Sequence, residues 1–538
     1  MRRLISSALA RLNRQKPRLD PASGAGIAAK AFDHAFYLAT YPDVAEVGAD
    51  PLDHFMTYGW REGRDPNADF SVSDYLASFP DVAASGTNPL VHYLTHGRPR
   101  GVPPESRLGF RFDIIEHQQS LQDRLAHVIS GEVTVGTAEA FAAALASARD
   151  GLAGLHVTFS HDDYSTNLGG MQFAIRREAA RVAEQGRDHL HFYSARPWPV
   201  VREVDEAEAL GVVWNGHALG AFWPDVIIRG LSHQAGPVST GRSFAIHSLL
   251  GHAPDEVADI LAAVGLDRGV FWLHDFASLC AGYHLLRNGV EDCGAPPPGS
   301  PACTVCLFGT WRERHTAGHA RLFARLRLTV AAPSESTLDL WRRSTDLPAE
   351  AAVVLPLAHL NVRGASAATP SGRPFRFAYA GLPVAHKGWP AFMALASRFG
   401  EDPRYEFIHL GARRDRAMPY RFVEVHGGSA DSMAMQQALE AADVDAVLIW
   451  SLCRETFSFV AYEAVAAGCA IIAGPDSGNV AAFVTEGGHG EVLANDTALM
   501  TAFQTGTILQ LARARRRPML YDLVYSALTP DLAKTPNS

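Results

Sequence analysis

The sequence predicts an α/β protein with two successive Rossmann-like domains and a cleft between them. The first observation is a series of short apolar runs, from "HVTFS" to "LTVAAPS", and the second is a matching series from "FRFAYAG" to "CAIIAG". Such runs, separated by helical stretches, are typical of buried parallel strands in βαβ units. A Pro/Gly/Ser-rich break at 364–374 separates the two series. Ligands of these domains bind at the carboxyl ends of the strands.

Size and charge narrow the classes of function. A chain of 538 residues is too long for one ordinary core, and the length predicts roughly three domains. The composition, 47% hydrophobic and 20% charged, is that of a globular protein. A net charge of −9 gives no electrostatic reason to expect nucleic acid as a partner. No apolar run reaches the length of roughly 18 residues that a membrane span requires.

Residues 1–30 form a basic tail. Its apolar part is short and interrupted by arginine, which makes it a poor signal peptide. The predicted location is therefore the cytoplasm. A helix with Leu4, Ile5, Leu9 and Leu12 on one face would also suit peripheral contact with the anionic inner face of the cell membrane. The alternative is a frayed, solvated tail.

Residues 31–105 contain a tandem repeat with an offset of 38 residues. The offset aligns Phe32 with Phe70, Tyr37 with Tyr75, Pro42 with Pro80, His54 with His92 and Gly59 with Gly97. Each unit has the pattern of two short helices broken by a proline turn. A small helical pair cannot bury its face alone, so we expect the two units to stack. The recurring histidines are interpreted as packing positions, with a metal site as the alternative.

The remaining boundaries follow from changes in pattern. Residues 106–150 are predicted to be a helical linker, and 151–365 the first Rossmann-like domain, with a cysteine-rich loop at 280–306. Residues 372–505 form the second Rossmann-like domain, and 506–538 a C-terminal tail.

The stretch "ETFSFVAYEAVAAGCAII" at 455–472 carries two glutamates eight positions apart. A helix is predicted to begin near Phe457 or Ser458 and to run to Ala467, with Gly468 ending it. Its free N–H groups and dipole would favour an anion such as a diphosphate. Glu455 precedes the helix and Glu463 lies about two turns inside it. Carboxylates accept hydrogen bonds from sugar or ribose hydroxyls, although a solvated helix glutamate is the ordinary alternative.

This stretch resembles the E-x7-E signature of the retaining glycosyltransferases of family 4, which have the two-domain GT-B fold. "YAGLPVAHKGW" at 379–389 resembles the family's strand-and-turn segment that ends in Lys-Gly. "GPDSGNVAAFVTEGGHGEVL" resembles the glycine-containing segment that ends the same domain in the family. "TFSHDDYSTNLGGMQFAIRREAARVAEQG" resembles the family's opening strand, Gly-Gly loop and helix. The resemblance covers about 155 to 505.

The resemblance implies a role for each matching residue. Glu463 would hold the ribose, Glu455 would meet hydroxyls of the donor sugar, and Lys387 would neutralise the departing diphosphate. Backbone at Thr456, Phe457 and Ser458 would approach the sugar and diphosphate. Gly169 and Gly170 would let the backbone approach the donor phosphates or the acceptor, and His274 in "WLHD" would lie across the cleft near the reacting sugar.

The implied activity is retaining hexosyl transfer from a nucleoside-diphosphate sugar to a glycan or lipid-linked acceptor, with no catalytic metal. Glu455 as a covalent nucleophile and a front-face displacement both remain open. The repeats resemble N-terminal modules of bacterial polysaccharide glycosyltransferases. That resemblance implies a bacterial surface-polysaccharide pathway, with other polysaccharide-assembly proteins as partners.

One departure from the family concerns the diphosphate. The usual Gly-Arg pair is Gly381-Leu382 here. The diphosphate charge would then be met by Lys387 and the helix dipole, or by Arg413 or Arg414. The departure also favours an alternative function, a GT-B protein without turnover that binds a sugar nucleotide or glycan.

Four cysteines form an independent pattern. Cys280, Cys293, Cys303 and Cys306 have the spacing C-x12-C-x9-C-x2-C, which predicts one structural, tetrahedral zinc. Two disulfides or unpaired thiols are the alternatives. The cytosol favours reduced thiols.

Overall fold

The computed structural model of the protein describes residues 20, 22–68, 70–78, 82, 85–96, 111, 114, 118–237, 239, 241–304, 306–365, 372–414, 420–426, 433–510, 519–526 and 528–532. The described residues fall into two compact units that divide between residues 118 and 119. The stretch 1–19, which carries the prediction of membrane contact, lies outside them. In the described parts of the chain, helices long and apolar enough to cross a membrane are not found.

The first unit contains the repeats and is built from short helices. These are α1 (Gly24–Ala28), α2 (His34–Thr40), α3 (Pro42–Glu46), α4 (Pro51–His54), a π-helical turn (Phe55–Gly59), α5 (Val72–Ser78) and α6 (Pro89–His96). Proline begins α3, α4 and α6, where its missing N–H costs no hydrogen bond. One hydrophobic core contains residues of both repeats, including the aligned pair Tyr37 and Tyr75.

The recurring histidines of this unit bind tyrosines of their own repeat. The Tyr37 hydroxyl lies 3.0 Å from Nδ1 of His54, and the Tyr75 hydroxyl lies 2.8 Å from Nδ1 of His92. A Cβ atom on Gly59 would come within 2.0 Å of the Tyr37 hydroxyl oxygen, so the recurring glycine makes room for this contact. These contacts give the histidines a packing role.

The first sheet of the second unit has the order β10-β9-β6-β5-β1-β2-β3-β4. Its strands are β1 (Leu155–Ser160), β2 (Asp188–Ser194), β3 (Leu210–Trp214), β4 (His217–Phe222), β5 (Ser243–Ile246), β6 (Arg268–Trp272), β9 (Arg327–Ala332) and β10 (Ala351–Val354). A separate two-stranded hairpin, β7 (Leu286–Arg287) with β8 (Glu291–Asp292), lies in the cysteine-rich loop. The helices up to this point are α7 (Leu121–Ile129), α8 (Ala138–Leu145), α9 (Gly170–Glu184), α10 (Pro224–Gln234), α11 (Pro254–Ala263), α12 (Pro301–Thr304), α13 (Gly309–Arg325) and α14 (Glu335–Ser344).

The first sheet is parallel except at one edge. Strands β3 and β4 form an antiparallel hairpin through Asn215 and Gly216, both at positive φ. Asn-Gly at the two central positions is typical of a type I′ turn, and this signal could have identified the hairpin from the sequence. The predicted linker also contains part of this domain, because Phe141 and Leu145 of α8 lie in the core of the first sheet.

The second sheet is fully parallel, with the order β14-β13-β12-β15-β16-β17. Its strands are β12 (Phe375–Ala380), β13 (Tyr405–Gly411), β14 (Arg421–Glu424), β15 (Ala446–Ile449), β16 (Ala470–Ala473) and β17 (Gly490–Val492). Its helices are a 3-10 turn (Ala385–Lys387), α15 (Trp389–Phe399), α16 (Ala434–Ala441), α17 (Phe459–Ala466), α18 (Asn479–Gly487) and α19 (Asp496–Thr505). The prediction of two Rossmann-like domains is confirmed.

Elements near the C-terminus join the two domains. Strand β18 (Met519–Tyr525) pairs with β11 (Ala358–Ala365), and α20 (Thr529–Leu532) follows it. The Thr529 hydroxyl accepts a hydrogen bond of 3.0 Å from the indole N–H of Trp272, at the end of β6. The segment predicted as a tail therefore includes a strand that sequence patterning did not identify.

Candidate functional site

The predicted helix after β15 is present and begins where the sequence places it. Ser458 caps α17, and its side chain accepts a hydrogen bond from the backbone N–H of Ala461. Ser is a favoured cap because its oxygen satisfies a free N–H of the first turn. The helix ends at Ala466, and Gly468 follows at φ +82°. The N-terminal end of α17 is thus held at the carboxyl edge of the second sheet.

Lys387 and Glu455 form an ion pair just before α17. Nζ of Lys387 lies 2.7 Å from Oε1 of Glu455, and the hydroxyl of Ser451 donates to the same oxygen. Burial alone would lower the pKa of Lys387, but the Glu455 carboxylate outweighs burial and raises the pKa above its usual value. Lys387 therefore stays charged throughout the physiological pH range.

Gly388 allows this pair to form. It has φ +88°, and a Cβ atom there would lie 2.5 Å from Cβ of Trp450 and 2.6 Å from its carbonyl oxygen. The backbone N–H of Leu452 donates to the carbonyl oxygen of His386 over 2.9 Å. The turn carrying Lys387 thus lies directly against the loop carrying Glu455, which gives the Lys-Gly motif a steric explanation.

Glu463 lies within α17, apart from the ion pair. Burial raises the pKa of its carboxyl group to about 7, and no ion pair or hydrogen bond of this side chain is found within the described chain. A carboxyl group near its pKa at neutral pH can either donate or accept a hydrogen bond. Among the residues that the structure describes, Glu463 is therefore a half-buried carboxyl group without a partner.

His274 joins the first sheet to this loop. The hydroxyl of Thr456 donates to the carbonyl oxygen of His274 over 2.8 Å, and the hydroxyl of Ser334 donates to the carbonyl oxygen of Thr456 over 2.9 Å. Burial, and then the neighbouring His247, holds the pKa of His274 well below its ordinary value. The structure thus brings His274 next to the loop of Glu455, with a neutral imidazole at neutral pH.

The Gly-Gly loop reaches the same region. Gly169 precedes α9 and Gly170 begins it, and a Cβ atom on Gly170 would lie 3.5 Å from the ring of Phe459. Phe459 is the first residue of α17. The helix starts of the two domains, α9 and α17, are therefore neighbours.

The arginines proposed to replace the missing family arginine are less well placed. Arg413 and Arg414 are exposed, and the guanidinium of Arg414 lies 5.9 Å from the ring centre of Tyr420. Over the part of the chain that is described, neither arginine forms an ion pair with Glu455. Leu382, the position at which the sequence resemblance leads us to expect arginine, is half exposed.

The four cysteines of the 280–306 loop are free thiols. Burial raises the pKa of Cys280 to about 11, and Sγ of Cys303 accepts a hydrogen bond of 3.1 Å from Arg312. In the described ranges, no group of three or more His, Cys, Asp or Glu residues is arranged to hold a metal ion. The zinc site stays a prediction, which elemental analysis of the purified protein tests.

One contact at the site was missed by sequence reasoning. Arg454 makes a two-pronged ion pair with Asp292, with nitrogen–oxygen distances of 2.8 and 2.5 Å. Asp292 precedes Cys293 and Arg454 precedes Glu455, so the cysteine-rich loop is tied to the candidate site. The partners are 162 positions apart in the sequence, so this pair has no local signal.

Comparisons with known proteins complete the description. No protein-family model matches the sequence, and no curated protein matches it. Solved structures that match include Anabaena Alr3699/HepE in complex with UDP-glucose, with 13% identity, TM-score 0.38, and coverage of 67% of this chain and 94% of that chain. WaaG, a glycosyltransferase involved in lipopolysaccharide biosynthesis, matches with 12% identity, TM-score 0.37, and coverage of 67% and 94%. The pneumococcal O-GlcNAc transferase GtfA in complex with UDP and GlcNAc matches with 9% identity, TM-score 0.40, and coverage of 67% and 95%. Similarity at this level assigns no activity to the chain.

Proposed function

We propose that the chain is a retaining glycosyltransferase that moves a sugar from a nucleoside-diphosphate donor to a glycan or lipid-linked acceptor. The observation that carries the proposal is the Lys387–Glu455 pair at the start of α17, in contact with the loop of His274. A cation and a carboxylate lie just before the helix start at the carboxyl edge of the second sheet, and a second carboxyl group lies within the same helix. This combination suits a diphosphate joined to a ribose and a sugar.

Each group has a role in the proposed reaction. The diphosphate would lie at the start of α17, where backbone N–H groups at Thr456, Phe457 and Ser458 favour negative charge. Lys387 would meet the charge that develops on the leaving diphosphate. Glu455 would bind hydroxyls of the donor sugar, and Glu463 the ribose hydroxyls.

The geometry favours a front-face displacement over a covalent intermediate on Glu455. Oε1 of Glu455 already accepts hydrogen bonds from Lys387 and Ser451. An ion-paired, hydrogen-bonded carboxylate is stabilised as an anion, which makes it a weaker nucleophile. A front-face displacement requires only that the site position the donor and acceptor and stabilise the charge on the leaving diphosphate.

The wider setting is proposed from the sequence. The repeats favour a bacterial surface-polysaccharide pathway, with other assembly proteins as partners. The basic tail favours a cytoplasmic protein with peripheral contact at the inner face of the cell membrane.

A second candidate function, binding of a sugar nucleotide or glycan without turnover, is supported by the balance of charge between Lys387 and Glu455. Lys387 is already matched by Glu455, and Leu382 stands where the family has arginine. Such a site would bind a sugar nucleotide or glycan without turning it over.

A donor screen separates the two candidates. The full chain is incubated with UDP-, GDP-, ADP- and dTDP-sugars, nucleoside diphosphate release is measured, and calorimetry measures binding. We expect one donor to be bound and to release its nucleoside diphosphate, with the anomeric configuration retained by NMR. Binding without release in the presence of glycan acceptors would favour the binding function. Failure to bind every donor would contradict both.

A further inference from the structure

The loop that carries Glu455 is held by groups of both Rossmann-like domains. Within its own domain, the backbone N–H of Glu455 donates to the carbonyl oxygen of Ser477 over 3.3 Å, and the N–H of Asn479 donates to the carbonyl oxygen of Glu455 over 2.9 Å. From the first domain, the carbonyl oxygen of His274 accepts a hydrogen bond from the hydroxyl of Thr456. The residue after Glu455 is thus one contact point between the two domains.

The residue before Glu455 is a second contact point, and there the contact is an ion pair. Nε of Arg454 lies 2.8 Å from Oδ1 of Asp292, and Nη2 of Arg454 lies 2.5 Å from Oδ2. Two hydrogen bonds fix both the place and the orientation of the guanidinium group, which a single contact does not. The side chain of Asp292 is only 12% exposed, so solvent screens this pair less than a pair on the open surface.

Asp292 belongs to a hairpin that is itself held in place. It is the last residue of β8, in the cysteine-rich loop. The backbone N–H of Cys293 donates to the carbonyl oxygen of Leu285, and the N–H of Leu307 donates to the side-chain oxygen of Asn288, each over 2.9 Å. These bonds connect the hairpin to both ends of the loop, so the position of the Asp292 carboxylate is determined by the loop as a whole.

Close packing joins the position of Arg454 to that of Glu455. A Cβ atom on Gly478 would lie 2.9 Å from Cα of Arg454 and 2.9 Å from the backbone N and O of Glu455. The Glu455 carboxylate in turn lies 2.7 Å from Nζ of Lys387. A displacement of Arg454 would therefore move Glu455 relative to Lys387, and a misplacement of about 1 Å can cost about 10²-fold in rate.

We infer that Asp292 and Arg454 are positioning residues: their ion pair fixes the loop of Glu455, so that recognition of a donor sugar depends on a side chain of the cysteine-rich loop. That the ligand is a donor sugar rests on the proposed glycosyl transfer. That the pair holds the loop does not. The nucleoside diphosphate part of the donor would lie at the start of α17 and should depend less on the pair.

Hydrogen exchange of the full chain, measured by mass spectrometry without ligand, tests the inference. Asp292→Asn keeps the shape of the side chain but removes its charge and one acceptor, and Arg454→Gln removes the cation. We expect the amides of Glu455 and Asn479 to exchange about tenfold faster in either variant, because a charged, partly buried contact is lost. The double variant should exchange no faster than the single variants, since both changes break the same pair. Additive increases in the double variant would overturn the inference.

Glu291→Gln is the matched control. Glu291 precedes Asp292 in the same hairpin, but it pairs with Arg287 of that hairpin. The control removes the same charge from the same element and should leave the exchange of Glu455 and Asn479 unchanged. Equal acceleration in Glu291→Gln and Asp292→Asn would indicate a general loosening of the hairpin and would overturn the inference. Unchanged exchange in Asp292→Asn would also overturn it.

Ligand binding gives the second readout. Calorimetry compares UDP-, GDP-, ADP- and dTDP-sugars with the matching nucleoside diphosphates alone. For a donor that binds, Asp292→Asn should weaken binding of the sugar nucleotide by about tenfold and binding of the nucleoside diphosphate by less than about twofold. A general loss of structure would weaken both equally, and that result would overturn the inference.

The two readouts separate this inference from the proposed function. Faster, non-additive exchange in a chain that binds no donor would support the positioning role and contradict the proposed function. Unchanged exchange in a chain that releases nucleoside diphosphate from a donor would overturn the inference alone.

Discussion

At the scale of single residues, Lys387 and Glu455 are each other's counter-ion. Their atoms lie 2.7 Å apart, and the lysine keeps its charge because the carboxylate raises its pKa. A bound diphosphate would give Lys387 a second anion to meet. The pair therefore holds a cation in a fixed position just before the start of α17.

Lys387→Ala should lower turnover more than donor affinity. In the proposed reaction, charge would develop on the leaving diphosphate in the transition state, so loss of the Lys387 cation should destabilise that state most. We expect kcat to fall by about 10²–10³-fold, as for other preorganised electrostatic groups. Kinetics of nucleoside diphosphate release and calorimetry of donor binding measure the two effects.

Ser451→Ala is the matched control, because it removes the other hydrogen bond to Glu455 and leaves the charge pair intact. Its effect on kcat should be smaller. If Lys387→Ala lost donor affinity while kcat stayed unchanged, Lys387 would stabilise the bound donor and the transition state equally, and the prediction would be contradicted.

Glu463 should make stability depend on pH. Its pKa is raised from 4.5 to about 7 in the folded protein, so the folded state binds more protons than the unfolded state between these values. Stability should therefore fall as pH rises from about 4.5 to 7, because the buried carboxyl group must ionise. Thermal unfolding of the wild type and Glu463→Gln across this range measures the effect.

The variant should lose this part of the pH dependence, since glutamine does not ionise. Glu463→Ala should in addition weaken donor binding by roughly 1.5–3 kcal/mol if the carboxyl group holds the ribose. Equal pH slopes in wild type and Glu463→Gln would contradict the raised pKa.

At the scale of elements, the site depends on where turns and helices meet. The 3-10 turn Ala385–Lys387 ends at Gly388. Because Gly388 has no Cβ atom, the turn can lie against Trp450, which follows β15. The start of α17 was predictable because its cap and its closing glycine are local signals. The contact of this turn with Trp450 was not predictable, because it depends on β12 and β15 being neighbours in the sheet.

Gly388→Ala should destabilise the protein by about 2–4 kcal/mol, because positive φ costs an alanine roughly 1–2 kcal/mol and the new methyl group would collide with Trp450. Turnover should fall further, since the turn carries Lys387. Chemical denaturation measures the stability change.

Gly216→Ala is the matched control. Gly216 has φ +84°, close to that of Gly388, but a Cβ atom there would have no neighbour within 4 Å. Gly216→Ala should therefore lose only the stability that positive φ costs an alanine, without a collision of the new methyl group. Equal losses in the two variants would contradict a role for close approach to Trp450.

At the scale of the whole molecule, the described residues form two units that divide between residues 118 and 119. The repeats have their own core of aromatic and aliphatic side chains. The two Rossmann-like domains share a third core that includes Trp272, Phe457 and Leu523. We therefore expect the second unit to be independent of the first in folding.

Deletion of residues 1–118 should leave the remaining chain folded and able to bind its donor. The melting temperature of the 119–538 fragment and its donor affinity measure this, with the full chain as the reference. An insoluble fragment, or one without a cooperative unfolding transition, would show that the repeats are needed for the fold of the rest.

The sequence by itself determined the two series of parallel strands, the start and end of α17 and the tandem repeat. These depend on residues a few positions apart, where propensity and periodicity act directly. The tertiary structure alone decided that Lys387 meets Glu455, 68 residues away, and that Thr456 meets His274, 182 residues away. It also decided the ion pair of Arg454 with Asp292 and the pairing of β18 with β11. Such contacts follow from the order of strands in a sheet and from the packing of one domain on the other, and local patterns in the sequence do not encode either.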